Sequence, residues 1–432
     1  MKMKKPKFKQ TETGMLPEDW EVNTIGNVCK SISQTYNFKD EYQIIFLNTG
    51  DISNGQVLKK SYMDIKNLPG QAKKRIKIND ILFSEIRPIN KRYAFIDFDA
   101  NEFVVSTKLM VIRCNNIIYP KFLYYLLTEI KMLRYFQMLA ESRSGTFPQI
   151  TFDIIKTIQI PIPNLNEQRT IVRFIENIDN KLILIQKQNH TLESIGQVLF
   201  KHWFVEFEFP NEKGKPYKSS GGEMVDSELG MIPKGWKVSK IGKEFETILG
   251  GTPSTTNKSY WENGTVAWIN SGEINKFRIT EPTAYITKEA VDNSATKLMP
   301  KGTTVLAITG ATLGQVSRIE IDTCANQSVI GIIENKDISS EYIYLLIKHR
   351  IIGLISHQTG GAQQHINKKN VNELDILLPD DSRMLKFKKM MSSIFKNISI
   401  NCFESQNLSQ IRDSLLPRLM SGKIRVPVEV RA

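Results

Sequence analysis

The chain has 432 residues, of which 41% are hydrophobic and 24% are charged. This length and composition exclude a largely disordered chain and predict two to four globular domains. The chain contains 58 Lys and Arg residues and 45 Asp and Glu residues, so its net charge is +13. This charge favours a polyanionic partner such as nucleic acid. A basic surface with no such partner is the alternative.

The cysteines and the hydropathy pattern indicate the compartment. Cys29, Cys114, Cys324 and Cys402 are scattered and form no Cys-x-x-Cys pair, so neither a disulfide framework nor a zinc site is predicted. The sequence contains no run of 18 apolar residues, and its basic start lacks the apolar stretch of a signal peptide. We therefore expect a soluble, cytoplasmic protein with reduced thiols.

An internal repeat organises the chain. The segment Gly14–Pro17, followed by Trp20, returns 216 positions later as Gly230–Pro233, followed by Trp236. Solenoid repeats are only about 20 to 50 residues long, so this period indicates a duplicated domain.

The first repeat, within residues 1–163, is predicted to be a mixed α/β (α+β) domain. Short β-like runs at 42–47, 78–83 and 103–113 precede an apolar helical segment at 122–127. Two basic clusters punctuate it, and we interpret them as phosphate contacts, with a solvated face as the alternative. Their residues are Lys73, Lys74, Arg75, Arg87, Lys91 and Arg92.

A long helix is predicted to follow over residues 164–207. Asn164 and Glu167 are spaced as a capping box at its start. Apolar residues then alternate at spacings of four and three, which is the seam of a coiled coil. The seam consists of Ile171, Ile175, Ile178, Leu182, Ile185, Asn189, Leu192, Gly196, Leu199 and Trp203. Residues 208–229, rich in Gly, Pro, Ser and Lys, are predicted to be a linker.

The second half repeats this plan. A second mixed domain is predicted at 230–379, with β-like runs at 265–269, 303–308 and 328–333 and a helical segment at 342–347. A second long helix is predicted at 380–422, followed by a tail at 423–432. Its seam consists of Phe387, Met391, Ile394, Ile398, Asn401, Ser405, Leu408, Arg412, Leu415 and Leu419.

Two such stripes in one chain most simply bury each other. Antiparallel packing would create a pseudo-twofold axis and a cyclic arrangement of the two domains, whereas parallel packing would place both on one side. In an antiparallel register we expect Ile178, Leu182 and Ile185 to face Met391, Ile394 and Ile398.

Polar residues in diverged loops are the candidates for reading bases. Gln can bond adenine bidentately and Lys can hold phosphate, although a solvated turn remains the alternative in each case. In the first repeat the candidates are Arg143, Ser144 and Gln149. In the second they are Gln315, Arg318, Gln363, Gln364, His365, Lys368 and Lys369. The five histidines have no metal-ligand spacing, so no metal site is predicted.

Catalysis finds little support in the motifs. The sequence lacks both the Asn/Asp-Pro-Pro loop and the glycine-rich cofactor loop of adenine methyltransferases. The pair Pro379-Asp380 resembles the start of a nuclease cluster, but no Glu-x-Lys follows nearby. We interpret it as the end of a strand and the cap of the second helix.

The repeat, the linker and the segment Leu415–Gly422 after a heptad together resemble the specificity subunit of type I restriction-modification systems, over essentially the whole chain. In the first helix, Phe200–Trp203 departs from the Leu-Pro-Arg-Leu at the end of the second. The resemblance implies two target recognition domains separated by two long antiparallel coiled-coil helices that act as a spacer.

The resemblance also implies a function. The chain would be noncatalytic and would read an asymmetric bipartite target in double-stranded DNA, one part per domain. Its implied partners are two adenine methyltransferase (modification) subunits and restriction/translocase subunits in a prokaryotic cytoplasm. S-adenosylmethionine, ATP and Mg would be used by those partners and no cofactor by this chain. A self-contained DNA methyltransferase and a protein-interaction scaffold that does not read DNA are the rival interpretations.

Overall fold

The computed structural model of the protein describes residues 7–12, 14–38, 42–59, 61–142, 147–356 and 366–427. The chain forms two compact units, one of residues 1–181 with 409–432 and the other of residues 182–408. Each unit contains one repeat together with one half of each long helix. The predicted mixed fold with two repeated domains is confirmed.

The first repeat and the helix after it contain fourteen strands and five α-helices among the described residues. The strands are β1 (Phe8–Thr11), β2 (Gly14–Pro17), β3 (Glu21–Thr24), β4 (Cys29–Ser31), β5 (Gln43–Leu47), β6 (Ile52–Ser53), β7 (Gln56–Val57), β8 (Met63–Asp64), β9 (Ala72–Arg75), β10 (Ile81–Ser84), β11 (Tyr93–Phe95), β12 (Phe103–Ser106), β13 (Leu109–Cys114) and β14 (Gln159–Ile162). The helices are α1 (Ile25–Val28), α2 (Pro120–Thr128), α3 (Ile130–Glu141), α4 (Phe152–Ile155) and α5 (Leu165–Phe204).

The second repeat and its helix follow the same plan. The strands are β15 (Met224–Val225), β16 (Ile232–Pro233), β17 (Lys237–Lys240), β18 (Glu246–Leu249), β19 (Val266–Ile269), β20 (Ala284–Ile286), β21 (Thr304–Ala307), β22 (Val316–Arg318), β23 (Cys324–Ala325), β24 (Val329–Ile333) and β25 (Asp375–Leu378). The helices are α6 (Ile241–Glu244), α7 (Lys288–Asp292), α8 (Ser340–Ser356), α9 (Lys368–Asn372) and α10 (Asp381–Met420).

The sheets of the two repeats have matching topology. One four-stranded sheet has the order β11-β10-β13-β4 and its equivalent has the order β22-β21-β24-β18. A second sheet contains one parallel pair in each repeat, β5 with β12 and β19 with β23. The central strands β10, β12 and β21 are buried along their whole length, as their apolar composition requires. The duplication seen in the sequence is therefore a duplication of fold.

The two long helices are each 40 residues, which corresponds to about 60 Å at 1.5 Å per residue. The Asn164 side chain accepts a hydrogen bond from the Glu167 N–H at 3.0 Å, which is one half of the predicted capping box. Before the second helix, Asp380 accepts from the Arg383 N–H at 3.2 Å. The interpretation of Pro379-Asp380 as a strand end and helix cap is therefore confirmed.

The helices run antiparallel in the second unit. The Asn401 amide donates to Asn189 Oδ1 at 2.9 Å, and the rings of Phe204 and Phe387 are 4.7 Å apart. Higher residue numbers on α5 thus pair with lower numbers on α10. The two asparagines interrupt largely apolar stretches of the seams and hydrogen-bond to each other, and a polar pair of this kind in a seam favours one register over others.

The first unit shows the same direction of packing. Arg412 on α10 donates to Asp179 on α5 at 3.1 Å. Nearer the start of α5, Ile171 and Ile175 share one hydrophobic cluster with Leu419 at the end of α10. The predicted antiparallel packing is therefore confirmed within each unit.

The apolar seam residues are buried or half-buried along both helices. On α5 these are Ile171, Ile175, Ile178, Leu182, Ile185, Leu192 and Leu199, and on α10 they are Phe387, Met391, Ile394, Ile398, Leu408, Leu415 and Leu419.

The predicted pairing of individual seam residues is wrong. Ile178 belongs to the first unit, beside Asp179 and its partner Arg412, whereas Ile394 belongs to the second unit. Met391 lies near Gly196, where an added Cβ would meet its sulfur at 3.7 Å. The heptad pattern defines the stripe but not the offset between two stripes, because sliding one helix by whole heptads preserves the apolar contacts.

The connection between the first helix and the second repeat is packed rather than free. Phe209 is 1% exposed and stacks on Tyr217 and Trp236, with ring centroids 4.6 and 5.1 Å away. The Arg383 guanidinium lies 4.8 Å from the centre of the Phe209 ring. The composition predicted a linker, but these aromatic contacts anchor its first part.

The segment after the second helix is anchored in the first unit. Arg425 forms ion pairs with Asp19 at 2.7 Å and with the buried carboxylate of Glu167 at 2.6 Å. The hydrogen bond from Arg425 lowers the pKa of Asp19. Glu167 also accepts from Trp20 Nε1 at 3.2 Å, so its carboxylate is directed to these partners.

The seam predicts a sharp contrast between neighbouring positions on α5. Ile185 is 1% exposed and Leu184 is 50% exposed. We expect Ile185→Asp to lower the free energy of unfolding by about 3 kcal/mol or more, because it places a carboxylate in an apolar seam. Leu184→Asp should change it by less than about 1 kcal/mol. Urea unfolding followed by circular dichroism measures both, and equal losses in the two variants would contradict the seam.

Candidate nucleic-acid interface

Equivalent hairpins of the two repeats carry loops of equal length with left-handed residues at matching positions. In the first repeat, residues 85–92 connect β10 to β11, and in the second, residues 308–315 connect β21 to β22. Each loop contains one short 3-10 turn, Pro88–Asn90 in the first and Gly310–Thr312 in the second. The topological match makes these loops equivalent positions on the duplicated scaffold.

Both loops have left-handed residues at the same two places, four residues apart. Arg87 has φ 44° and Lys91 has φ 55°, while Gly310 has φ 71° and Gly314 has φ 82°. One internal hydrogen bond also corresponds, although the Lys91 N–H donates to the Pro88 carbonyl and the equivalent Gly314 N–H donates to the Ala307 carbonyl. Asn90 N–H donates to the Arg87 carbonyl at 2.9 Å, and the matching bond in the second loop, from Leu313 to Gly310, is 3.1 Å long.

The residue types at these matching positions differ, and the left-handed backbone costs free energy in the first loop but not in the second. Glycine adopts a left-handed backbone freely, whereas for other residues it costs roughly 1–2 kcal/mol. The second repeat uses glycine at both places, and the first uses Arg87 and Lys91. Residues that accept such strain cluster at functional sites.

A second segment lies beside the first loop. The Arg87 N–H donates to the Pro148 carbonyl at 3.0 Å, and the Ile150 N–H donates to the Glu85 carbonyl at 2.8 Å. The Gln149 amide donates to the Glu85 carboxylate at 2.8 Å. The structure thus brings the loop that contains Arg87 together with Gln149, which is far from it in sequence.

The second repeat has the corresponding junction, because the Ile366 N–H donates to the Ile308 carbonyl at 3.0 Å. Gln315 is exposed at the end of the loop. Beyond Ile366, Lys368 is half-buried and Lys369 is exposed at the start of α9. The remaining candidates, Arg143, Ser144, Gln363, Gln364 and His365, lie outside the described residues.

Several basic candidates of the first repeat serve the fold instead. The Lys74 ammonium donates to the carbonyls of Thr107 and Leu109 at 3.0 and 2.8 Å, and burial lowers its pKa. The Arg92 guanidinium donates to the carbonyls of Gly50 and Ile52 at 3.3 and 3.1 Å.

Three of the six residues in the basic clusters of the first repeat remain exposed. Arg75 is half-buried near Asn101, with a long contact of 3.5 Å, whereas Lys73, Arg87 and Lys91 are exposed. The exposed cations suit phosphate contacts better, since their charged groups remain in solvent.

Arg318 does not fit the predicted role in DNA contact. It is 8% exposed, pairs with Glu320 at 2.6 Å and donates to Ser340 at 3.1 Å. All three residues of β22 are buried, so the Arg318 side chain lies inside the domain, where the carboxylate of Glu320 compensates its charge.

A buried charge network that the sequence did not indicate joins the second domain to α5. Glu193 accepts from Arg278 at 2.8 Å, from the Tyr344 hydroxyl at 2.6 Å and from Lys348 at 3.0 Å. The Arg278 side chain is fully buried. Burial by itself would raise the pKa of Glu193, but the charges of Arg278 and Lys348 and the hydrogen bonds outweigh it, so this pKa is lowered.

The described part of the chain contains no group of three or more His, Cys, Asp and Glu residues placed to hold a metal ion. None of its helices is long and apolar enough to cross a membrane.

Each of the two repeated domains carries an equivalent loop and packs on parts of the two long helices. The chain belongs to the family described as type I restriction modification DNA specificity domain, whose model matches residues 17–194 and 233–412.

Individual relatives cover nearly the whole chain. The type I restriction enzyme HindI specificity subunit of Haemophilus influenzae is 34% identical over 94% of this chain and 100% of its own length. The MjaIX specificity subunit of Methanocaldococcus jannaschii is 24% identical over 97% and 96%. The crystal structure of a type I restriction-modification S subunit from M. genitalium matches 96% of this chain and 98% of its own, with 15% identity and a TM-score of 0.56, which supports the fold.

The buried network generates a prediction for the second unit. Glu193→Gln would remove the closer of the two carboxylates beside the buried Arg278 and leave Glu320 at 3.7 Å, so we expect a loss of about 3 kcal/mol in the free energy of unfolding at pH 7. Glu289→Gln, at an exposed position on α7, is the matched control and should have little effect.

The same variant has a pH signature. Because the folded-state pKa of Glu193 lies below its usual value of 4.5, its contribution is present above that value and is lost as the pH falls through the folded-state pKa. The difference in stability between wild type and Glu193→Gln should therefore shrink on acidification. Unfolding curves from pH 7 to pH 3 test this, and a difference that stays constant would show that the carboxylate charge is not involved.

Proposed function

We propose that this chain is the DNA-reading subunit of a type I restriction-modification complex and that it binds an asymmetric bipartite sequence, one part per domain. The observation that carries the proposal is the pair of equivalent loops with matching left-handed positions and different side chains. Membership of the DNA specificity family and the net charge of +13 support it.

The two loops would contact different half-sites. The first offers two cations, Arg87 and Lys91, at positions where the second offers Gly310 and Gly314. Gln315 is exposed at the end of the second loop and could bond a base edge, as glutamine does with adenine. Two domains with one scaffold and different loop chemistry would read two different sequences.

The long helices would fix the unspecified base pairs between the half-sites. Each spans 40 residues, and their seams and the Asn189–Asn401 pair define one register. A helix pair with a defined register can act as a rigid spacer, in the way that protein geometry sets half-site spacing in dimeric DNA-binding proteins.

We further propose that the chain is noncatalytic and binds no cofactor. Two modification subunits would supply adenine methylation with S-adenosylmethionine, and restriction/translocase subunits would use ATP and Mg. The absence of the methyltransferase motifs from the sequence supports this division of labour.

The central experiment is to map methylated adenines in the host genome with and without this gene. A two-part motif that disappears when the gene is deleted supports the proposal. The assembled complex should then bind a duplex with that motif more tightly than one without it, and both affinities should fall as salt rises. Equal affinity for both duplexes would contradict sequence recognition.

Exchange of one domain tests independent readout. We expect that replacing residues 14–163 with the same segment of a related protein will change one half of the methylated motif and leave the other half as it was, because each loop lies within its own repeat. The reciprocal exchange of residues 230–379 is the control and should change only the other half. A change in both halves from either exchange would refute the assignment of one half-site to each domain.

A further inference from the structure

The first loop is a rigid projection with an apolar residue at its tip. Pro88 is buried beneath it, and Ile89, the next residue, is 37% exposed. The Ile89 N–H donates to the Gln137 side chain at 3.3 Å, and the Lys91 carbonyl accepts from the Asn54 N–H at 2.7 Å. The loop is therefore held from α3 on one side and from the turn after β6 on the other.

Exposed cations lie on both sides of this tip. Arg87 and Lys91 are the two left-handed residues that bound the turn, and both are exposed. Their charged groups have no side-chain hydrogen bond or ion pair among the described residues, in contrast with Arg92, which binds two carbonyls of the same domain. Positive charge is thus available on either side of an apolar side chain.

The second repeat shows that the fold does not require these side chains. The equivalent loop there has Gly310 and Gly314 at the two left-handed positions, which glycine adopts without strain. The first repeat thus keeps a strained arginine and a strained lysine where glycine fits the same loop. The presence of these two residues is therefore explained by a role outside folding. Their positive charge supports contact with a polyanion as that role.

We propose that Ile89 packs against the bases of the first half-site while Arg87 and Lys91 hold the phosphates on either side. The inference rests on the proposed function and adds the residues that carry it out. Apolar side chains contact thymine methyl groups in the major groove or enter base steps in the minor groove, and flanking cations position them. Among the residues of this loop, Ile89 therefore carries sequence preference and the two cations carry affinity.

The cations are tested by glycine substitution in the assembled complex. Arg87→Gly and Lys91→Gly should not lower the melting temperature, because glycine relieves the left-handed backbone. Each should weaken binding to cognate and non-cognate duplexes alike and reduce the slope of log affinity against log salt by about one. Unchanged affinity and slope in both variants would overturn their role as phosphate contacts.

Ile89→Ala tests the base contact. The probes are a fluorescent duplex carrying the methylated motif of the host and a duplex of equal length without it. We expect about tenfold weaker binding to the first and a change within about twofold on the second, because only the specific complex seats the loop against its bases. Ile78→Ala, which alters an isoleucine that is 57% exposed in the same domain, is the matched control and should bind both duplexes as wild type does.

The possible failures are distinguishable. If wild-type complex binds both duplexes equally, sequence recognition itself is refuted and the inference with it. If wild type discriminates but Ile89→Ala keeps full affinity for the motif, the role of Ile89 is refuted while the proposed function stands. If Ile89→Ala loses affinity only for duplexes that retain the first half-site, the assignment is supported. An equal loss of affinity for a duplex in which that half-site is scrambled contradicts it.

Discussion

Both long helices contribute to the hydrophobic core of each unit, and the rest of the structure depends on this packing. In the first unit Ile175 of α5 shares a cluster with Leu419 of α10, and in the second Phe204 of α5 shares one with Phe387 of α10. Burying one large apolar side chain contributes about 1.5–3 kcal/mol, so these halves stabilise the domains as well as connect them. Neither repeat has a complete core without the helix that follows the other repeat.

The two junctions that complete these cores keep one arrangement and change its chemistry. In the first unit Arg425 pairs with Glu167 through charge at 2.6 Å. In the second, 216 positions away from each, Arg383 takes the place of the acid and lies over the ring of Phe209 at 4.8 Å. The ion pair of the first junction thus corresponds to a cation–π contact in the second, and the segment after the long helix packs against its unit in both. Duplicated scaffolds can exchange partners in this way because the position needs one stabilising contact rather than a particular one.

The repeat and the heptads predict the architecture from sequence because both are periodic patterns with a direct geometric meaning. The polar interruptions at Asn189 and Asn401 even mark residues that bond to each other. Which residues of α10 lie opposite Ile178 could not be predicted in the same way, since heptads do not define the offset between two helices. The burial of Arg278 and Arg318 could not be predicted from the sequence either, because a charge is buried only where the tertiary structure supplies an anion. Glu193 is distant from Arg278 in sequence, and no motif identifies Glu320 as the partner of Arg318.

The paired loops separate the demands of folding from those of recognition. Gly310 and Gly314 adopt the two left-handed positions without strain, and at 314 a Cβ would also meet Ile355 Cδ1 at 2.2 Å. Arg87 and Lys91 accept strain at the equivalent positions of the first loop and place charge at its ends. Because the hairpins have the same place in the sheet topology of both repeats, this difference can change what each domain contacts while the fold is retained. A duplicated scaffold with unequal loops is therefore suited to an asymmetric target.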